Sequence, residues 1–101
     1  MTAYIVERAL AGMNARHRTT MQYALQEASR RVTSSGSPVR YLGSTFVPAR
    51  SRCYCLFEAD SIQIVKAVND AALVPYLSIN EAIDLRVKAQ SPTKEAGSGV
   101  A

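Results

Sequence analysis

Two runs of strand-forming residues, "VRYLGSTFV" (Val39–Val47) and "RCYCLFEA" (Arg52–Ala59), stand only four residues apart. A parallel return between two strands needs a dozen residues or more, so a connection this short folds the runs back as an antiparallel hairpin. "PARS" supplies the turn. The first run is apolar or aromatic at both parities, which predicts a central or doubly covered strand.

The segments on either side of this hairpin have a different period. From Ala15 to Ser34, Met21, Leu25, Ala28 and Val32 recur at helical spacing, with Asn14 placed as N-cap. Gly36 suits the left-handed position that closes such a helix, and Pro38 cannot continue it. After the hairpin, Asp60 is the expected cap of a second helix, with Gln63 as its capping-box partner. Ile64, Val65, Val68, Ala71 and Ala72 form the apolar side of that helix, and Val74-Pro75 stops it. A first strand is expected at "AYIVER" (Ala3–Arg8) and a last one at "YLSINEAIDLRV" (Tyr76–Val87).

The resulting order is βαββαβ, an α+β, ferredoxin-like arrangement with two helices on one face of a four-stranded antiparallel sheet. Its 101 residues are enough for one domain with its own core, expected over residues 1–88. The small, polar stretch 89–101 reads as a disordered tail. No apolar run is long enough to cross a bilayer and no secretory signal is visible, so a cytoplasmic location is expected. The net charge is +4, but the arginines alternate with Glu27, Asp60, Asp70 and Asp84, as on a solvated face.

A single layer of helices shelters one face of a sheet. Tyr4 and Val6 alternate with Ile5 in the first strand, and Tyr41 with Leu42 in the second, so apolar residues occur at both parities. The face left over predicts a homodimer packed sheet to sheet, a dimeric α+β barrel.

Cys53 and Cys55 are two apart on a strand, about 6.6 Å between Cα atoms with parallel Cβ vectors, which disfavours a disulfide. Packing as small apolar side chains competes with a metal role, for which His17 is the one imidazole that can join them. Glu58 and Glu81 stand in apolar company. Each is a candidate for a ligand contact or proton transfer, or else for a salt bridge to an arginine such as Arg8 or Arg40. Tyr41 and Tyr54 can shape a pocket and hydrogen-bond within it. Tyr41, Tyr54, Cys55, Glu58 and Glu81 are therefore the expected ligand-binding residues, although Cys55 and Glu58 differ in parity and need a bulge to line one pocket. No P-loop, dinucleotide-binding turn, H-E-x-x-H or G-x-S-x-G motif occurs.

The stretches "YIVERALAGM", "VRYLGSTFVPARSRCYCLFEA" and "INEAIDL" together resemble a family of small bacterial proteins typified by an actinobacterial nickel-binding protein. The likeness spans residues 3–87. It implies the ferredoxin-like fold, a dimer of the α+β-barrel kind and nickel binding, and it carries Glu7, Arg8, Tyr41, Ser44, Cys55 and Glu58 as the family's residues. The function expected is a small dimeric binding protein for a small ligand or a divalent metal, with nickel as the implied cofactor. The alternative is a cofactor-independent enzyme, a monooxygenase or isomerase, built on the same barrel. An RNA-recognition module shares the element order, and Arg52, Tyr54 and Tyr4 fit its pattern. Cys53 in place of glycine, Leu56 in place of an aromatic and the charge of Glu58 all count against nucleic acid.

Overall fold

The computed structural model describes residues 1–83 and 85. Strand β1 (Thr2–Ala9), helix α1 (Ala15–Ser34), strands β2 (Val39–Val47) and β3 (Arg52–Ala59), helix α2 (Ile62–Ala71) and strand β4 (Ser78–Ala82) follow in the expected order. The strands form one sheet, β2-β3-β1-β4, and every neighbouring pair is antiparallel. This is the ferredoxin-like α+β arrangement.

Strand β2 lies at the sheet edge, not in the centre where its composition would put it. The cause is a β-bulge. Tyr41 pairs with Phe57, but the next pair is Gly43 with Leu56, so Leu42 is an extra residue. Gly43, at φ 140°, accepts a backbone that a side chain would strain. Beyond the bulge the alternation changes phase. Val39, Tyr41, Ser44 and Phe46 therefore all share the face of Ala59, Phe57, Cys55 and Cys53, to which their register pairs them in turn. What reads as a doubly apolar strand is two half-strands of opposite phase.

Asn14 caps α1 as expected, its Oδ1 accepting from the backbone N–H of His17 at 2.9 Å. Gly36 follows the helix with φ 111°. At α2 the cap is Ser61 rather than Asp60: its backbone is extended and its hydroxyl accepts from the N–H of Ile64 at 3.4 Å. The helix begins one residue later, and serine serves as well as aspartate there. It also ends before Val74-Pro75, through Leu73 in the left-handed conformation at φ 58°. Strand β4 is shorter than expected, covering only the middle of 76–87 because its pairing with β1 ends at Ala82. Residues 84 and 86–87 of that expectation, and the whole 89–101 tail, lie outside the described residues.

The helices cover the face that carries Tyr4, Val6 and Arg8 of β1 and Cys53, Cys55, Phe57 and Ala59 of β3. Leu25, Ala28, Val65 and Val68 close the core from above. The opposite face carries Ile5, Tyr54 and Leu56, all half-buried. Tyr4, offered at the sequence level as a base-stacking platform, is buried under the helices and cannot stack on a base.

Candidate functional site

The bulge in β2 brings hydroxyls over the thiols of β3. Tyr41 packs its ring on Phe57, centroids 5.2 Å apart, and its hydroxyl hydrogen-bonds Ser44 Oγ. Ser44 Oγ lies 2.9 Å from Cys55 Sγ and donates to it. A serine hydroxyl has one hydrogen, so Tyr41 is the donor to Ser44 and the chain runs Tyr41 to Ser44 to Cys55. Cys53 Sγ follows at 3.9 Å from Cys55 Sγ. Both cysteines are free and buried, in keeping with the geometric case against a disulfide.

Burial, together with the neighbouring Cys55, pushes the Cys53 thiol up to about 11 against the opposing pull of Arg8. Burial likewise raises the phenol of Tyr41, and its bond to Ser44 offsets part of that. At neutral pH Tyr41 and Cys53 therefore keep their protons in this row of hydroxyls and thiols.

Both ends of this row lead elsewhere. At the outer end, Tyr41, Leu42 and Gly43 line a cleft of about 390 Å³ against Thr19, Gln22, Tyr23 and Gln26 of α1. At the inner end, Cys53 is cross-strand from Arg8, whose guanidinium is fully buried. Arg8 donates to Asn69 Oδ1 at 2.6 Å and to the carbonyls of Pro75 and Val74 at 3.1 and 3.3 Å. Its Nε has no hydrogen-bond partner among the described residues. Asn69 is itself fixed by donating from Nδ2 to Val65 O at 2.8 Å. The sequence suggests Arg8 as an ion-pair partner for Glu58 or Glu81. Its partners are instead an amide and two carbonyls.

The residues expected to bind a ligand divide between the two faces. Tyr41 and Cys55 belong to the hydroxyl–thiol row beneath α1. Tyr54 and Glu58 are on the uncovered face, where Glu58 pairs with Arg40 at 3.2 Å. The bulge that would unite Cys55 with Glu58 does not exist in β3; it lies in β2. Glu81 pairs with Tyr4 at the sheet edge, and its side chain is exposed rather than set in apolar surroundings. His17 is exposed on the first turn of α1 and lines a different hollow from Tyr41.

The sulfur spacing bears on metal binding. Two thiolates on a tetrahedral zinc, at about 2.3 Å each, lie about 3.8 Å apart, whereas a right angle at the metal brings them to about 3.3 Å. The observed 3.9 Å matches the tetrahedral case. The remaining donors do not complete it. Among the described residues no three His, Cys, Asp or Glu side chains cluster, and the buried guanidinium of Arg8 opposes a dication beside Cys53.

Residues 4–82 match the family model described as "Nickel responsive protein SCO4226-like". The chain belongs to this family. Among solved structures it is similar to the crystal structure of SCO4226 from Streptomyces coelicolor A3(2). That similarity has a TM-score of 0.68 at 18% identity, covering 79% of this chain and 94% of the other. It shows a shared fold. A search of the curated proteins finds no match. Within the family-matched region lie Glu7, Arg8, Tyr41, Ser44, Cys55 and Glu58. Tyr41, Ser44 and Cys55 are consecutive members of the hydroxyl–thiol row, while Glu7 pairs with Arg52 on the uncovered face at 3.4 Å. No helix among the described residues is long and apolar enough to cross a membrane.

Proposed function

We propose that the protein is a small homodimeric binding protein that takes a small polar ligand in the cleft between α1 and β2. The observation carrying this reading is the row from Tyr41 through Ser44 to Cys55, which ends at the cleft with a hydroxyl oriented by a half-buried serine. Gln22, Gln26 and Thr19 add amide and hydroxyl groups but no charge, so the ligand class is an uncharged hydrogen-bonding molecule. Glu58 and Glu81, the acids that a cofactor-independent reaction would draw on, are outside this row, which favours binding over turnover.

A metal is the second reading, supported by the 3.9 Å sulfur spacing and by the family's description as nickel responsive. Cys53 and Cys55 are the side chains that would hold it, with further donors from outside this cluster. Calorimetric titration with nickel, zinc and copper separates the readings. A dissociation constant tighter than about 1 mM (−4 kcal/mol) in the wild type, lost in Cys55→Ser, supports a metal. Absence of metal binding with retained binding of a neutral amide or diol, weakened by Tyr41→Phe, supports the cleft. If neither class binds, the proposal fails.

The dimer is proposed to form through the uncovered sheet face. Ile5, Tyr54 and Leu56 make an apolar strip there, framed by the Glu7–Arg52 and Arg40–Glu58 ion pairs. An apolar centre with a charged rim is the composition of a protein–protein interface. Light scattering should return twice the 11.0 kDa chain mass, and Leu56→Asp should return the single mass.

A further inference from the structure

A second hollow flanks α1 on the side away from Tyr41. It has a volume of about 430 Å³, and its walls include Leu10, Met13, Met21, Ala24, Val74 and Pro75. That volume is in the range of small-molecule sites, and only His17 and Thr20 contribute polar side chains to the lining. We propose that this hollow binds a small amphipathic carboxylate, with an aliphatic or aromatic body of about eight carbons inside and its carboxylate at His17.

The apolar walls account for the body of the ligand. The charge distribution decides the head group. No acidic side chain lines the hollow. The first turn of α1 carries Arg16, His17 and Arg18 and no acid, the reverse of what the helix dipole favours. Arg18 does not line the hollow; it donates to Met13 O at 3.1 Å and lies 4.6 Å over the Phe46 ring of β2. Behind the Val74–Pro75 wall is the fully buried Arg8, bonded to both carbonyls, with no carboxylate paired to it among the described residues. Asp70, on the last turn of α2, faces the adjoining hollow beside Asn69 and Tyr76 instead. A cationic amphiphile would meet like charge at the N-terminus of α1 and in Arg8, whereas an anionic one is attracted by both.

The composition of the chain supplies the readout. It has three methionines, two of which line the hollow, and one histidine, which also does. In protein carrying ¹³C-methyl methionine, titration with octanoate should shift Met13, Met21 and the His17 ring saturably and leave Met1 unmoved. Octylammonium should bind at least about tenfold more weakly, and octanol should fall between them. Ala24→Phe fills the hollow and should weaken octanoate at least about tenfold while the far-ultraviolet circular dichroism is unchanged; Ala72→Phe does the same from the opposite wall. His17→Gln should narrow the octanoate–octanol gap without altering octanol binding. The proposal is overturned by absence of a saturable shift at about 1 mM octanoate, by equal binding of octylammonium, or by two folded filling variants that bind octanoate as the wild type does.

Discussion

Both faces of the sheet mix apolar residues with polar ones, and they hold the polar ones in opposite ways. Beneath the helices, polar groups are buried or half-buried and matched to neutral partners: Arg8 to Asn69 and two carbonyls, Tyr41 to Ser44, Ser44 to Cys55. On the other side, charge meets charge near solvent, Glu7 with Arg52 and Glu58 with Arg40. Burial makes each lost partner expensive on the first face, whereas water replaces a lost partner cheaply on the second. Neighbouring residues on one strand should therefore respond to substitution very differently.

The largest contrast is expected within β3. Phe57→Ala, beneath the helices, should destabilise by about 3–5 kcal/mol in urea denaturation. Leu56→Ala, one residue away on the uncovered face, should cost no more than about 1–1.5 kcal/mol at high dilution, because half-exposed apolar area leaves water only in part. A Leu56 cost that grows with protein concentration would place a second copy over that face. Equal costs for the two variants at all concentrations would break the comparison.

Next is the buried guanidinium. Asn69→Leu removes its shortest hydrogen bond and should cost about 2–3 kcal/mol. Arg8→Met in the same background should recover part of that loss, since the uncompensated charge leaves with the arginine. If the double variant is less stable than Asn69→Leu alone, Arg8 contributes more through packing than it costs in desolvation.

A third test uses pH. The Cys53 thiol is raised from an ordinary value near 9 to about 11 in the folded protein, so above pH 9 the unfolded chain releases a proton that the folded one keeps. The stabilisation from the neutral thiol is complete below pH 9 and is lost as pH rises through 11, a fall on the order of 2 kcal/mol. Tyr41, also raised, acts in the same direction above pH 10. Urea midpoints at pH 8 and 10.5 should converge for wild type and Cys53→Ala as the pH climbs, and parallel curves would refute the assignment. The smallest effect belongs to the uncovered face: Glu58→Gln should change stability by less than about 1 kcal/mol, and 0.5 M salt should erase the difference.

How much of this could be read from the sequence depends on range. Asn14, the period of Met21, Leu25 and Ala28, and the four-residue turn after Val47 are local signals, and they give α1 and the hairpin at their observed bounds. The position of β2 at the edge is not local. Its apolar residues at both parities mimic a covered strand, and only pairing with β3 exposes Leu42 as the extra residue. The same limit affects the site. Parity along β3 correctly separates Cys55 from Glu58, but the partnership of Ser44 and Tyr41 with Cys55 depends on a bulge in another strand. Arg8 was the hardest to place. Glu58 and Glu81 in apolar company invite an ion-pair reading of Arg8, and nothing nearby in the chain reveals Asn69, 61 positions on, as its acceptor.

The extra residue at Leu42 also governs how the edge strand can vary. A ruler of alternating polarity laid along β2 must be shifted by one at that point, so tolerance to polar substitution should fall on Arg40 before it and Thr45 after it, an odd interval rather than an even one. Shortening the strand by this one residue would restore strict alternation and keep Val39, Tyr41, Ser44 and Phe46 on one face, so the roof over the thiols should survive the deletion while the edge loses its kink.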